Sequence, residues 1–153
     1  MSDSSRSARS NGTTSPLISA TDLATHLGDP RLRIVDVRWY LGRPGDGRLA
    51  YDSGHLPGAI FIDLDSDLVA PAGPGRHPLP DPRTFARRLG ELGIGTDDLV
   101  VAYDDVGGWV AARLWWMLDD LGHAGVAVLD GGVRAWLETG RALTTDVPRL
   151  PPS

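Results

Sequence analysis

LVVAYDDVGGWVAARLWWM, residues Leu99 to Met117, decides the fold. Five apolar residues in a row, Leu99 to Tyr103, mark a strand covered on both faces, because a half-exposed strand would alternate with polar residues. A polar, glycine-containing loop, Asp104 to Gly108, then leads into a helix from about Trp109 to Leu121. Outward from this strand–loop–helix unit the same alternation recurs. Downstream, Val126 to Leu129 reads as a strand and Val133 to Leu137 as a short helix stopped by Gly140. Upstream, Asp81 and Pro82 stand in the N-cap and first-turn positions of a helix running through Phe85, Leu89 and Leu92 to Gly93. Leu32 to Val37 and Ile60 to Asp63 are further strands, and Ser19 or Thr21 caps a helix that runs to Leu27 and is closed by Gly28-Asp29-Pro30. Leu41 to Ser53 reads as a loop, and Asp65 to Pro80 is too rich in Pro and Gly for regular structure. Short apolar strands alternating with helices predict an α/β domain of three layers, a parallel sheet of about five strands with helices on both faces. The strands ending at Asp36, Asp63, Tyr103 and Leu129 are expected to be central, with Trp115 or Trp116 packed on the sheet. Ligands of such sheets sit beyond the carboxyl ends of the strands, which directs attention to Asp36, Asp63, Asp104 and Asp130.

The chain has 153 residues, room for one domain. Residues 1–15 are serine-rich and nearly free of aliphatic side chains, so they are expected to be a disordered tail. The domain is expected over residues 17–145, and residues 146–153 look like the start of a proline-rich linker. Net charge is −5 with no basic run, which makes nucleic acid a poor partner. No apolar run approaches the roughly 20 residues that span a bilayer, and residues 1–15 lack the apolar core of a secretory signal. A cytoplasmic protein without membrane attachment is expected.

Two absences restrict the chemistry. The chain has no cysteine, which excludes disulfides, thiolate metal sites, iron–sulfur clusters and a thiol nucleophile within it. It also has no lysine, all fifteen basic residues being arginine, which removes Schiff-base chemistry and the lysine of a P-loop. The four histidines, His26, His55, His77 and His123, are scattered without an i, i+4 pair, so no metal is expected. No cofactor is expected either.

Three segments carry the remaining candidates. The loop Asp104, Asp105, Val106, Gly107, Gly108 sits where a strand meets a helix start, and backbone N–H groups there form an anion cradle. Asp104 is either an acid that handles substrate or a carboxylate that satisfies the helix's own N–H groups. A phosphoryl-accepting role fails: Val106 stands where a haloacid-dehalogenase-type site wants a second Asp, and a receiver domain wants a lysine. In YDSGHLPGA (Tyr51 to Ala59), His55 lies on a rigid turn, where it can serve a site or bond a backbone carbonyl or a carboxylate such as Asp36. In LDGGVRAW (Leu129 to Trp136), two glycines turn a strand into a helix whose Trp136 packs back on the sheet.

Taken together, DVR at Asp36 to Arg38, GHLPGA at Gly54 to Ala59, LVVAYDD with AARLWWML between Leu99 and Leu118, and LDGGVRAW resemble the rhodanese, or sulfurtransferase, domain, with the motifs in family order. The likeness covers about residues 17–145. WYLG at Trp39 to Gly42, HPLP at His77 to Pro80 and the WWML helix are more specifically similar to the N-terminal half of tandem-domain thiosulfate or 3-mercaptopyruvate sulfurtransferases. That resemblance implies a rhodanese-like three-layer fold. Active members carry a cysteine directly after the strand, and Asp104 occupies that place here. A carboxylate accepts no sulfane sulfur, so this chain alone is expected to be inactive. The resemblance accounts for the substitution, because the N-terminal domain of the tandem enzymes is usually the cysteine-free one. It implies a non-catalytic domain that supports a cysteine-bearing catalytic rhodanese domain, in cis or in trans. The other reading is a standalone module that binds a small anion or a protein without chemistry; Asp104 and Asp105 weigh against it by placing negative charge in the cradle.

The loop end of the sheet is the expected partner surface. Trp39 follows the strand ending at Asp36 and Trp109 follows the Asp104 loop, and both are expected at that face with Arg38 and His55 near the same rim. The resemblance implies that this side closes over the partner's cysteine and touches substrate. The opposing reading makes each Trp part of the core.

Overall fold

The computed structural model describes residues 16–68 and 79–151; the expected tail, His77 and part of the Asp65–Pro80 stretch lie outside them. The elements in chain order are β1 (Leu17–Ile18), α1 (Ala20–Thr25), β2 (Leu32–Asp36), α2 (Asp46–Ser53), β3 (Ile60–Phe61), α3 (Leu64–Asp67), α4 (Pro82–Glu91), β4 (Leu99–Tyr103), α5 (Trp109–Asp120), β5 (Val126–Leu129) and α6 (Gly132–Glu138). The sheet is five-stranded and parallel, ordered β1-β5-β4-β2-β3. β4 lies at its centre and pairs with β2 over its whole length, Asp36 standing opposite Tyr103.

The alternation within each strand builds two cores. Val35, Val37, Val100, Ala102, Val126 and Val128 point to one face, under α4 and α5. Ile34, Val101, Tyr103 and Leu129 point to the other, under α1, α2 and α6. This is why Leu99–Tyr103 carries no polar residue: both of its faces are covered. Leu114 and Leu118 of α5 and Trp136 of α6 are almost completely buried, and truncating a leucine in such a place costs about 2–5 kcal/mol. Trp115 packs on the sheet side, its indole donating to the Val126 carbonyl, whereas Trp116 is about half exposed.

The structure corrects the sequence reading in several places. β3 is a two-residue edge strand and not a central one. The other edge, β1, carried too short a signal to be read as a strand. Asp46–Ser53 is a helix where a loop was expected. Its glycine content argues against helix in isolation, but tertiary packing overrides that: Tyr51 is buried in the second core, and Gly47 lies so close to the Arg38 carbonyl that a Cβ there would collide with it. A single helical turn, Leu64–Asp67, opens the stretch expected to be irregular, with Asp63 as its cap. The first helix ends at Thr25 rather than Leu27, and Ser19 is its cap.

Candidate functional site

The residue before α5 is Gly108, whose φ of 94° is a left-handed conformation that favours glycine, so the helix start has no side-chain cap of its own. Asp104, at the carboxyl end of β4, takes over that task from four residues upstream. Its Oδ1 accepts the N–H groups of Val106 (3.0 Å) and Gly108 (2.8 Å), and its Oδ2 accepts those of Val110 (3.0 Å) and Ala111 (2.9 Å). The residue is 2% exposed. Four backbone donors and the positive end of the helix therefore hold one buried carboxylate, with no cation in contact among the described residues. The anion cradle exists, and the protein's own side chain fills it. The next loop packs against the same residue: the Asp104 carbonyl accepts the Val133 N–H at 3.3 Å, and a Cβ at Gly132 would collide with that carbonyl.

Beside the cradle, a concavity of about 620 Å³ opens between the Asp104 loop and the β5–α6 turn, with Asp105, Gly107, Asp130, Gly131 and Arg134 among its walls. Asp105 is held at its edge by the Tyr40 hydroxyl, which donates to Oδ2 at 2.6 Å. Burial and the Asp105 carboxylate keep that phenol well above its ordinary pKa. Asp130 is exposed, and Arg134 pairs with Glu138 on its own helix at 3.5 Å. Asp63 is spent as the cap of α3.

A second buried carboxylate lies one strand away. Asp36 is fully buried and meets Arg38, whose Nη2 donates to Oδ2 at 2.7 Å and whose Nε reaches both oxygens. The Tyr103 hydroxyl donates to the same Oδ2 at 2.7 Å and accepts the Leu56 N–H. Arg38 also donates to the carbonyls of Ala50 and Gly54. Burial draws its pKa down, but the hydrogen bonds and charge of Asp36 outweigh that and hold the guanidinium above its ordinary value. Tyr103 is pushed strongly up, first by burial and then by the Asp36 charge.

Arg38 is thus committed to the interior and only 6% exposed, and His55 is fully buried; both side chains are spent inside the domain and not displayed on its surface. The ring of His55 stacks on Tyr51 at 4.0 Å, and its two nitrogens lie 2.8 and 2.7 Å from the carbonyls of Tyr51 and Asp146. It bonds backbone carbonyls and not Asp36. The two tryptophans divide. Trp39 is buried at 8% exposure and donates to Asp65 at 2.9 Å, while Trp109 stands edge-on to it at 5.6 Å and is 50% exposed. Sequence reasoning missed Tyr103 and Tyr40 as members of these networks. Only the parallel register, which sets Tyr103 opposite Asp36, announces the first, and nothing local announces the second. Among the described residues, no group of His, Asp and Glu is arranged to hold a metal ion, and no helix is long and apolar enough to cross a membrane.

A parallel five-stranded sheet with a strand–loop–helix cradle at its centre is the frame of a rhodanese-type domain. The family model for the rhodanese-like domain matches residues 19–139, and the chain belongs to that family. It is 46% identical over 140 residues to a "Probable 3-mercaptopyruvate sulfurtransferase" of Pseudomonas aeruginosa, covering 89% of this chain and 49% of that protein. It is 40% identical over 126 residues to the thiosulfate sulfurtransferase of Bos taurus, covering 81% and 42%. Among solved structures it is similar to SseA from Escherichia coli, described as a 3-mercaptopyruvate sulfotransferase, with a TM-score of 0.81, 35% identity, and 91% and 53% of the two chains covered. The chain spans about half the length of the curated relatives it matches.

Proposed function

We propose that this domain is the non-catalytic, N-terminal-type half of a thiosulfate or 3-mercaptopyruvate sulfurtransferase and supports a cysteine-bearing rhodanese domain, supplied in cis or in trans. The observation that carries the reading is Asp104: at the carboxyl end of the central strand, its carboxylate occupies all four convergent N–H groups. Sulfur transfer from thiosulfate needs a thiolate that attacks the sulfane sulfur, releases sulfite and holds a persulfide. A carboxylate cannot do this, and the chain has no cysteine. The frame of the site is kept while its nucleophile and its vacant anion cradle are both absent, which suits a domain that contributes surface and shape to a neighbour's reaction. Half-exposed Trp109, seated on buried Trp39 at the loop end of the sheet, suits the contact with that neighbour.

The test mixes the purified chain with thiosulfate and cyanide, alone and with a separately produced cysteine-bearing rhodanese domain of a two-domain relative. The chain alone should form no thiocyanate above the uncatalysed rate, and the added domain should gain activity with a saturable dependence on this chain. Turnover by the chain alone would overturn the non-catalytic assignment. An added domain indifferent to this chain would overturn the supporting one. A standalone anion-binding module would instead show saturable thiosulfate quenching of tryptophan fluorescence, an outcome that the filled cradle opposes.

A further inference from the structure

After α6 the chain does not leave the domain. The Trp136 indole donates to the Ala142 carbonyl, and Leu143 packs into the second core beside Gly54. Thr144 then pairs antiparallel with His55: the His55 N–H donates to the Thr144 carbonyl at 2.9 Å and the Thr144 N–H to the His55 carbonyl at 2.8 Å. The His55 ring reaches two residues further, to the Asp146 carbonyl. Val147 is 61% exposed, yet Leu150 is seated again, against Gly93 and on the opposite core. The seven steps from Leu143 to Leu150 can span at most about 25 Å, enough to carry the chain from one face of the sheet to the other.

We propose that residues 143–151 form a strap, clasped by His55 and seated by Leu150, which opens without unfolding the sheet. Three observations carry this. Among the described residues the segment is held at three places, Leu143 in the second core, the His55 clasp and the Leu150 seat, and residues 145–147 and 149 between the last two are exposed. Its attachments reach the turn before β3 and the turn after α4 and not the sheet ladder, so its loss removes no strand pairing. His55 is buried with one ring nitrogen on the strap, so the clasp is the point at which opening exposes a polar side chain that water can satisfy. Elements with few buried contacts open at lower free energy than the core strands. The strap is independent of the sulfurtransferase reading and stands or falls without it.

Hydrogen exchange on the full chain tests it. The amides of His55 and Thr144 should exchange about a hundredfold faster than those of Val101 and Ala102 in β4, as expected of a sub-global opening. Equal protection would make the segment part of the global fold and overturn the proposal. Because the chain has no cysteine, Val147→Cys and Asp119→Cys, both exposed, take a pair of spin labels cleanly. The label–label distance distribution should be narrow in this background and broaden on adding His55→Gln, with β4 exchange unchanged. Should His55→Gln fail to fold, Leu150→Ala, which removes the Leu150 seat, serves in its place with the same expected broadening. A distribution that stays narrow, or that broadens only together with faster β4 exchange, would overturn the clasp.

Discussion

Two carboxylates are buried at the carboxyl ends of adjacent strands, and they are kept in opposite ways. Asp36 on β2 is neutralised by a cation, Arg38, two residues along its own chain, and by the Tyr103 hydroxyl from β4. Asp104, which directly follows β4, has no cation among the described residues and is held by four backbone N–H groups of its own loop and helix. The first arrangement ties three segments together through side chains and serves stability. The second is a local closure, in which a loop shaped to hold an anion is satisfied from within. The difference separates a buried charge that joins distant segments from one that fills a cradle of its own loop. The backbone cradle asks of its occupant only two acceptor oxygens placed like those of a carboxylate, whereas the Asp36 cluster joins particular side chains.

Four experiments break or sharpen that contrast. Asp36→Ala should have the largest effect, about 3–5 kcal/mol in urea unfolding, because it leaves the Arg38 guanidinium buried without its counter-charge. If Asp36→Ala costs less than Asp104→Ala, the contrast is inverted. Asp104→Ala should cost about 2–3 kcal/mol, from cradle N–H groups left without an acceptor. Its signature is rescue: added formate should raise the midpoint of the variant relative to equal chloride and leave the parent unmoved. Absence of rescue would show that the loop collapses once its carboxylate is removed.

Tyr103→Phe should cost about 1–2 kcal/mol, since it orphans the Leu56 N–H and takes one donor from Asp36. It also carries a pH signature. Burial and the Asp36 charge raise the folded pKa of this phenol above its unfolded value, so the folded state holds the proton more tightly. Stability from this source is complete below about pH 10, the ordinary tyrosine value, and declines as pH rises beyond it. Tyr103→Phe should flatten that alkaline decline, and a variant with an unchanged pH profile would refute the coupling. Trp109→Ala should be the mildest, within about 1 kcal/mol for a half-exposed ring edge-on to one neighbour. Its effect should appear instead as weaker association with a cysteine-bearing rhodanese domain, titrated by light scattering or calorimetry; unchanged association would remove Trp109 from the partner surface.

Much of this was legible from local pattern. The unbroken apolar run Leu99–Tyr103, the Asp81-Pro82 helix start and the glycine-marked turns declare strands and helices because backbone sterics, capping and burial on both faces act over a few residues. The place of Asp104 after the central strand, and the absence of any cysteine, are likewise plain in the chain itself, and they exclude a persulfide nucleophile within it. Other features were not legible. Gly47 and Tyr51 make a helix only because one packs on the Arg38 carbonyl and the other into a core that distant strands build. The inward turn of Arg38 and His55 came from Asp36, Gly54, Tyr51 and Asp146, and in a chain that alternates strand and helix only the assembled layers bring such partners together. What the sequence determined by itself is chemical: which nucleophiles exist and where each strand ends. What only the tertiary structure decided is which polar groups remain for a partner, because hydrogen-bond satisfaction in a buried site depends on groups tens of residues away, and one side chain's gain of a partner is another's loss of a vacancy.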